Sequence, residues 1–150
     1  MDVEAALETF KQHMDSLQTE RQALLAPLRA HLEGLSKEIF ERHPSLESFS
    51  WTQYTPYFND GSPCVFDANV EYLRVVYDGV EQEELSEWTF SDGAKHYPDL
   101  NANAGLKECY ALIRRFLSTI PEEMFKDLFG DHARVTVTAT GIDVEEYDHD

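Results

Sequence analysis

Two cysteines and one histidine, Cys64, Cys109 and His96, are the side chains of this sequence best suited to nucleophilic or metal chemistry. Thiolates and an imidazole are the groups of a thiol site or of a partial zinc site. A zinc site takes four ligands, usually in close pairs, whereas here the cysteines lie far apart and no second histidine is near His96. The spacing therefore favours free, reduced thiols over a metal site or a disulfide.

Motifs that mark common catalytic sites are missing from the sequence. It has no glycine-rich phosphate loop, no Gly-x-Ser-x-Gly turn and no His-Glu-x-x-His pair. Residues 143–150 carry carboxylates that suit a hard cation, but they lack the glycine and the alternating pattern of a calcium-binding loop. These observations predict no catalytic residue, no metal and no cofactor, and they favour a non-enzymatic protein.

Carboxylates dominate the charge of the chain, with 29 acidic and 12 basic side chains and a net charge of −17. Residues 43–100 carry a net charge of −9 and residues 131–150 a net charge of −5, so these two segments hold most of the excess. Such a surface repels nucleic acid and anionic membranes and attracts a basic protein surface. The charge therefore predicts a protein partner, and solubility alone is the simpler interpretation.

The predicted partner-binding residues combine this acidic array with tyrosines beside a turn. In an extended chain, carboxylates at positions i and i+2 lie about 6.6 Å apart, close to two phosphate steps of a DNA strand. This spacing is compatible with a nucleic-acid mimic that inhibits a nucleic-acid-binding protein, although any acidic strand has it. The predicted residues are Tyr54, Tyr57, Asp60, Glu81, Glu83, Glu84, Glu87, Asp143, Glu145, Glu146 and Asp148.

A long apolar stripe supports a second hypothesis, a structural module that dimerises through its N-terminal helix. Steps of four and three residues separate Val3, Leu7, Phe10, Met14, Leu17, Arg21, Leu24, Leu28, His31 and Leu35. This period of 3.5 residues is typical of a helix that packs along another helix. Pro27 interrupts the run and predicts either one kinked helix or two helices, about 3–25 and 27–42.

A β-hairpin is predicted for residues 47–77. Alternation places Phe49, Trp51 and Gln53 on one face, and Asn59-Asp60-Gly61 supplies the turn. The returning strand alternates from Cys64 to Tyr72, and its apolar face changes near Leu73–Val75, which fits a bulge.

The rest of the chain predicts mostly loop over 78–101, with Trp88-Thr89-Phe90 as a short strand. Helical spacing follows over 102–118, with Asn101 or Asn103 as its cap, and Pro121 begins a short helix that Gly130 ends. Alternating residues predict a strand over 133–144, followed by an acidic tail, about 143–150. The result is one α+β domain over 1–150, with an antiparallel sheet of the hairpin and the C-terminal strand. The long N-terminal helix and the C-terminal helix pair cover one face of that sheet.

The segment at residues 51–66, WTQYTPYFNDGSPCVF, resembles part of a group of small bacteriophage and bacterial proteins without an assigned activity. The resemblance implies a phage or bacterial origin and no functional residue. The N-terminus lacks the pattern of a secretory signal, and no apolar run reaches the roughly 20 residues of a membrane helix. We therefore expect a cytoplasmic protein, in the bacterial host if the gene is carried by a phage.

Overall fold

The computed structural model describes residues 2–58 and 60–149. By their contacts they form two units, residues 2–32 and the larger remainder from residue 33. The helices are α1 Val3–Arg42, α2 Glu87–Phe90, α3 Pro98–Ala102, α4 Ala104–Ser118 and α5 Glu122–Phe129. The strands are β1 Leu46–Tyr54, β2 Asp67–Ala68, β3 Leu73–Tyr77, β4 Val80–Leu85, β5 Ala133–Thr138 and β6 Gly141–Glu146.

The larger unit is built on one antiparallel sheet with the strand order β4-β3-β1-β5-β6, in which β2 also pairs with β1. Strand β1 is central because it pairs with β3 on one side and with β5 on the other. Phe49 and Trp51 face the helices, where they contact Phe116 of α4 and Phe125 of α5. Phe40, near the end of α1, stacks on Phe49. The predicted α+β class, with helices on one face of an antiparallel sheet, is confirmed.

Helix α1 continues through Pro27, so the alternative of two separate N-terminal helices is wrong. Proline removes one backbone hydrogen bond, and the alanines around it are strong helix formers. In the C-terminal helices, the Asn103 side chain accepts a hydrogen bond from the Leu106 N–H at 3.0 Å, as expected of a cap. Pro121 caps α5 instead of being its first residue, and Gly130 ends α5 with a positive φ of 90°.

Three strand predictions need correction. The returning strand of the predicted hairpin is two separate strands, β2 and β3, and a register shift does occur between Leu73 and Val75 where β3 pairs with β4. Strand β4 lies inside the predicted loop, and Trp88-Thr89-Phe90 belongs to helix α2 instead of a strand. The predicted C-terminal strand turns back at residues 139–140, so the first half of the predicted tail is strand β6.

Candidate functional site

A line of exposed apolar side chains runs along α1 and is made by residues that the stripe pattern singled out. We call it the α1 stripe, and its side chains are 50% to 74% exposed: Val3, Leu7, Phe10, Met14, Leu17 and Leu24. A helix is normally stabilised by burying its apolar face, because isolated helices are marginal in water. The α1 stripe is therefore a surface that suits a helical partner.

The acidic residues predicted to bind a partner fall into two groups at opposite edges of the sheet. Glu81, Glu83 and Glu84 belong to the edge strand β4, whereas Asp143, Glu145 and Glu146 belong to the other edge strand, β6. Four strand spacings separate these edges, which is about 19 Å. Glu87 lies in α2, where its carboxylate is 3.9 Å from the Arg114 Nε, and exposed Asp60 belongs to the loop between β1 and β2.

Some of these carboxylates share the face of the sheet that points away from the helices. Residues paired across strands lie on the same face, and Asp143 pairs with Thr136, while Glu145 pairs with Arg134. At the other edge, Glu81 forms an ion pair with Arg74. Two arginines therefore lie between the acidic edges, so the structure does not gather the carboxylates into one continuous negative surface.

A cluster of three tyrosines and two histidines forms a second candidate site; Tyr147 and both histidines were absent from the predicted residues. The His149 ring stacks on Tyr54 at 3.9 Å and on Tyr57 at 4.3 Å between ring centroids. These two rings must lie on opposite faces of the imidazole, because both cannot occupy one side at that distance. His132 Nδ1 and His149 Nε2 are 2.7 Å apart, so the N–H of one ring donates a hydrogen bond to the bare nitrogen of the other.

This tyrosine–histidine cluster joins the chain after β6 to the loop after β1. The Tyr147 N–H donates to the His132 carbonyl oxygen at 2.7 Å, and the Arg134 guanidinium lies 5.3 Å from the Tyr147 ring centroid. The predicted residues Tyr54 and Tyr57 are thus brought together with the last residues of the predicted tail. Asp148 is exposed beside the cluster.

Asp131 fixes the turn that carries His132. Its carboxylate accepts hydrogen bonds from the Thr55 N–H and hydroxyl, both at 2.7 Å, and from the His132 N–H at 2.9 Å. Burial raises the pKa of Asp131, but the Thr55 and His132 hydrogen bonds and the nearby imidazole outweigh it, so the pKa is lowered. The ionised carboxylate therefore stabilises the fold.

We expect Asp131→Asn to destabilise the chain at neutral pH by about 1.5 kcal/mol, because hydrogen bonds to a charged group are lost. A lowered pKa means that the contribution is complete above the unfolded value of about 3.9 and disappears as pH falls through the folded value. Urea unfolding of both proteins between pH 7 and pH 3 should show the difference shrinking towards acid. Asp92→Asn, at an exposed position, is the control. A difference independent of pH would contradict a role for the charge.

The thiols and His96 do not come together as a site. Cys109 is fully buried in α4. Its burial, and to a lesser extent the charge of the neighbouring Glu108, raises the pKa of the thiol to about 12, which makes it unreactive. Cys64 is partly exposed in the loop after β1, and both cysteines are free. His96 stacks on Trp88 instead. Among the described residues, no group of three or more candidate ligands is arranged to hold a metal ion.

Comparison of the chain with protein-family models, curated proteins and solved structures gives no match. Within the described ranges, no helix is both long enough and apolar enough to cross a bilayer.

Proposed function

We propose that this chain is a non-enzymatic assembly protein in which the α1 stripe pairs with α1 of a second copy. The supporting observation is the exposure of six large apolar side chains along one line of a helix, each at least half exposed. Exposed apolar patches of this kind mark interaction sites in soluble proteins. The period of 3.5 residues is the one that keeps a stripe facing a partner helix along its whole length.

The α1 stripe is large enough for a dimer. Burial of one side chain of this size contributes about 1.5 kcal/mol or more, and roughly half of that remains available where half is exposed. Two stripes together therefore supply about 10 kcal/mol, which is comparable to the cost of association, about 4–15 kcal/mol. A weak, concentration-dependent dimer is the expected state.

Light scattering coupled to size-exclusion chromatography tests this proposal on the full chain. Over a series of concentrations, the measured mass should rise from that of one chain to that of two. Heating curves should also shift to higher temperature with concentration, since association stabilises the folded state. A mass that stays at one chain at every concentration would exclude the proposal.

A second candidate function is binding of a basic protein surface, and the arrangement of the sheet edges supports it. Acidic side chains from both edge strands lie on the same face of the sheet. One row is at β4, with Glu81, and the other is at β6, with Asp143 and Glu145. A nucleic-acid-binding protein has the matching positive charge, and a phage-encoded inhibitor of such a protein would act in this way. Arg74 and Arg134 lie between the rows, so the partner would contact the edges and not the middle.

This second function predicts a partner that salt releases. The immobilised chain should capture a basic protein from bacterial lysate at low salt and lose it at high salt, because screening weakens exposed ion pairs. The double variant Asp143→Asn, Glu145→Gln should capture less. The control Glu4→Gln, Glu8→Gln removes the same charge from α1, which is not part of the sheet, and should capture as much as the wild type. Equal capture by both variants would reject the sheet edges as the binding surface.

A further inference from the structure

Charge along α1 distinguishes the two ways in which a pair of these helices can be arranged. Residues 2–15 carry four carboxylates and one lysine, a net charge of −3, whereas residues 16–32 carry two arginines and one glutamate, a net charge of +1. A parallel pair places the two negative halves side by side. An antiparallel pair places each negative half against a positive half, which favours association.

The position of Arg21 within the stripe also favours an antiparallel pair over a parallel pair. It occupies the heptad position between Leu17 and Leu24, in line with the apolar residues. In a parallel pair, heptad positions in the seam face their own copies, so two Arg21 side chains would meet between the helices. Like charges that approach in a partly dry seam are unfavourable. An antiparallel pair separates them.

We infer that two copies pair through the α1 stripe as an antiparallel dimer, in which residue i lies opposite residue j of the second copy and i + j equals 31. This inference rests on the proposed assembly function. It matches Leu7 with the partner's Leu24 and Met14 with the partner's Leu17. Arg21 then lies opposite the partner's Phe10, where a guanidinium over an aromatic ring is favourable.

Neighbouring registers fit less well. A shift by one heptad in one direction, to a sum of 24, leaves Leu24 beyond the end of the second helix. A shift in the other direction, to a sum of 38, places Leu7 opposite His31. The sum of 31 also brings Glu20 beside His13 of the second copy, at flanking positions where an imidazole N–H can donate a hydrogen bond to the carboxylate. With a sum of 31, only Phe10 of the α1 stripe faces a polar residue, whereas a sum of 38 leaves both Leu7 and Leu17 opposite polar residues.

Disulfide trapping in the full chain tests the orientation. Leu7→Cys and Leu24→Cys are made separately on a Cys64→Ser background, where buried Cys109 stays unreactive. The two positions are about 25 Å apart along one helix, so no disulfide forms within a chain. In the antiparallel dimer, a mixture of the two variants should form covalent dimers under mild oxidation, while each variant alone should not.

The control pair is Thr9→Cys and Gln22→Cys, whose numbers also add up to 31 but which lie outside the stripe. Their mixture should stay largely uncrosslinked. A parallel pair would instead give covalent dimers from each stripe variant alone, at least as many as from the mixture. That result would overturn the antiparallel inference but not the proposed assembly function. A chain that light scattering shows to be dimeric but that forms no stripe disulfide would overturn this interface. A monomer by light scattering would remove both proposals.

Discussion

Leu17→Glu is expected to dissociate the dimer, raising its dissociation constant by at least about 100-fold, which corresponds to about 3 kcal/mol. Leu17 lies near the middle of the α1 stripe and is 61% exposed in the single chain. The dimer would contain the substitution twice, so it loses two buried leucines and must accommodate two carboxylates in an apolar seam. Light scattering or sedimentation at several concentrations measures the change.

The folded chain itself should tolerate this substitution. Leu17 is mostly exposed, and leucine and glutamate have similar helix propensities. Gln22→Glu adds the same charge on the polar side of α1 and is the matched control; it should leave the dissociation constant within a few-fold of the wild type. If both variants weaken association equally, net charge and not the stripe controls the assembly.

Elements with a regular local pattern could be predicted from the sequence. Alternation in β1 places Phe49, Trp51 and Gln53 on the buried face, and all three are almost fully buried. The same holds for Val135 and Val137 of β5. The sequence predicts Asn101 or Asn103 as the cap of α4, because an asparagine side chain accepts well from the free N–H groups at a helix start, and Asn103 is the one that does so. In each case the residues that decide the structure lie close together in the chain.

The edge strands were harder to predict from the sequence, because their residues have only a weak propensity for strand. Strand β4 has the sequence VEQEEL, which reads as an acidic loop, and it is held by pairing with β3. The signal that could have found it is Asp78-Gly79, a pair that favours a tight hairpin turn; both residues have positive φ, 53° and 76°. Strand β6 was likewise hidden in the acidic tail.

The tyrosine–histidine cluster could not be predicted, because it depends on three distant parts of the chain. Pairing of β1 with β5 and of β5 with β6 brings Tyr54, His132 and Tyr147 to the same end of the sheet. His149 then reaches between Tyr54 and Tyr57. No local pattern specifies the pairing of β1 with β5, since paired residues such as Gln53 and Ala133 lie far apart in the chain. The α1 stripe, in contrast, is visible in the sequence, and its side chains are exposed in the structure, while its partner stays a proposal.

Gln53→Leu should cost about 3–4 kcal/mol of folding stability, because it removes the partner of several buried polar groups at once. The Gln53 side chain is fully buried on the apolar face of β1. Its Nε2 donates to the carbonyl oxygens of Phe125 at 2.9 Å and Gly130 at 2.7 Å, and its Oε1 accepts from the Trp51 indole N–H at 3.0 Å. Leucine fills similar space but makes none of these bonds. Urea unfolding followed by circular dichroism measures the loss.

A double-mutant cycle measures the contribution of the hydrogen bond between Gln53 and Trp51. In Gln53→Leu alone, the Trp51 indole N–H loses its acceptor. Trp51→Phe removes this N–H, so the double variant has no unpaired donor there. It should therefore lose less stability than the sum of the two single variants. Thr136→Val, on the open face of β5, is the control and should change stability by less than about 0.5 kcal/mol. Because Gln53 also holds Gly130 next to Asp131, its loss should loosen the turn that carries His132. Strict additivity in the cycle would mean that the hydrogen bond to Trp51 contributes nothing, and that the loss comes from the Gln53 bonds to the Phe125 and Gly130 carbonyl oxygens.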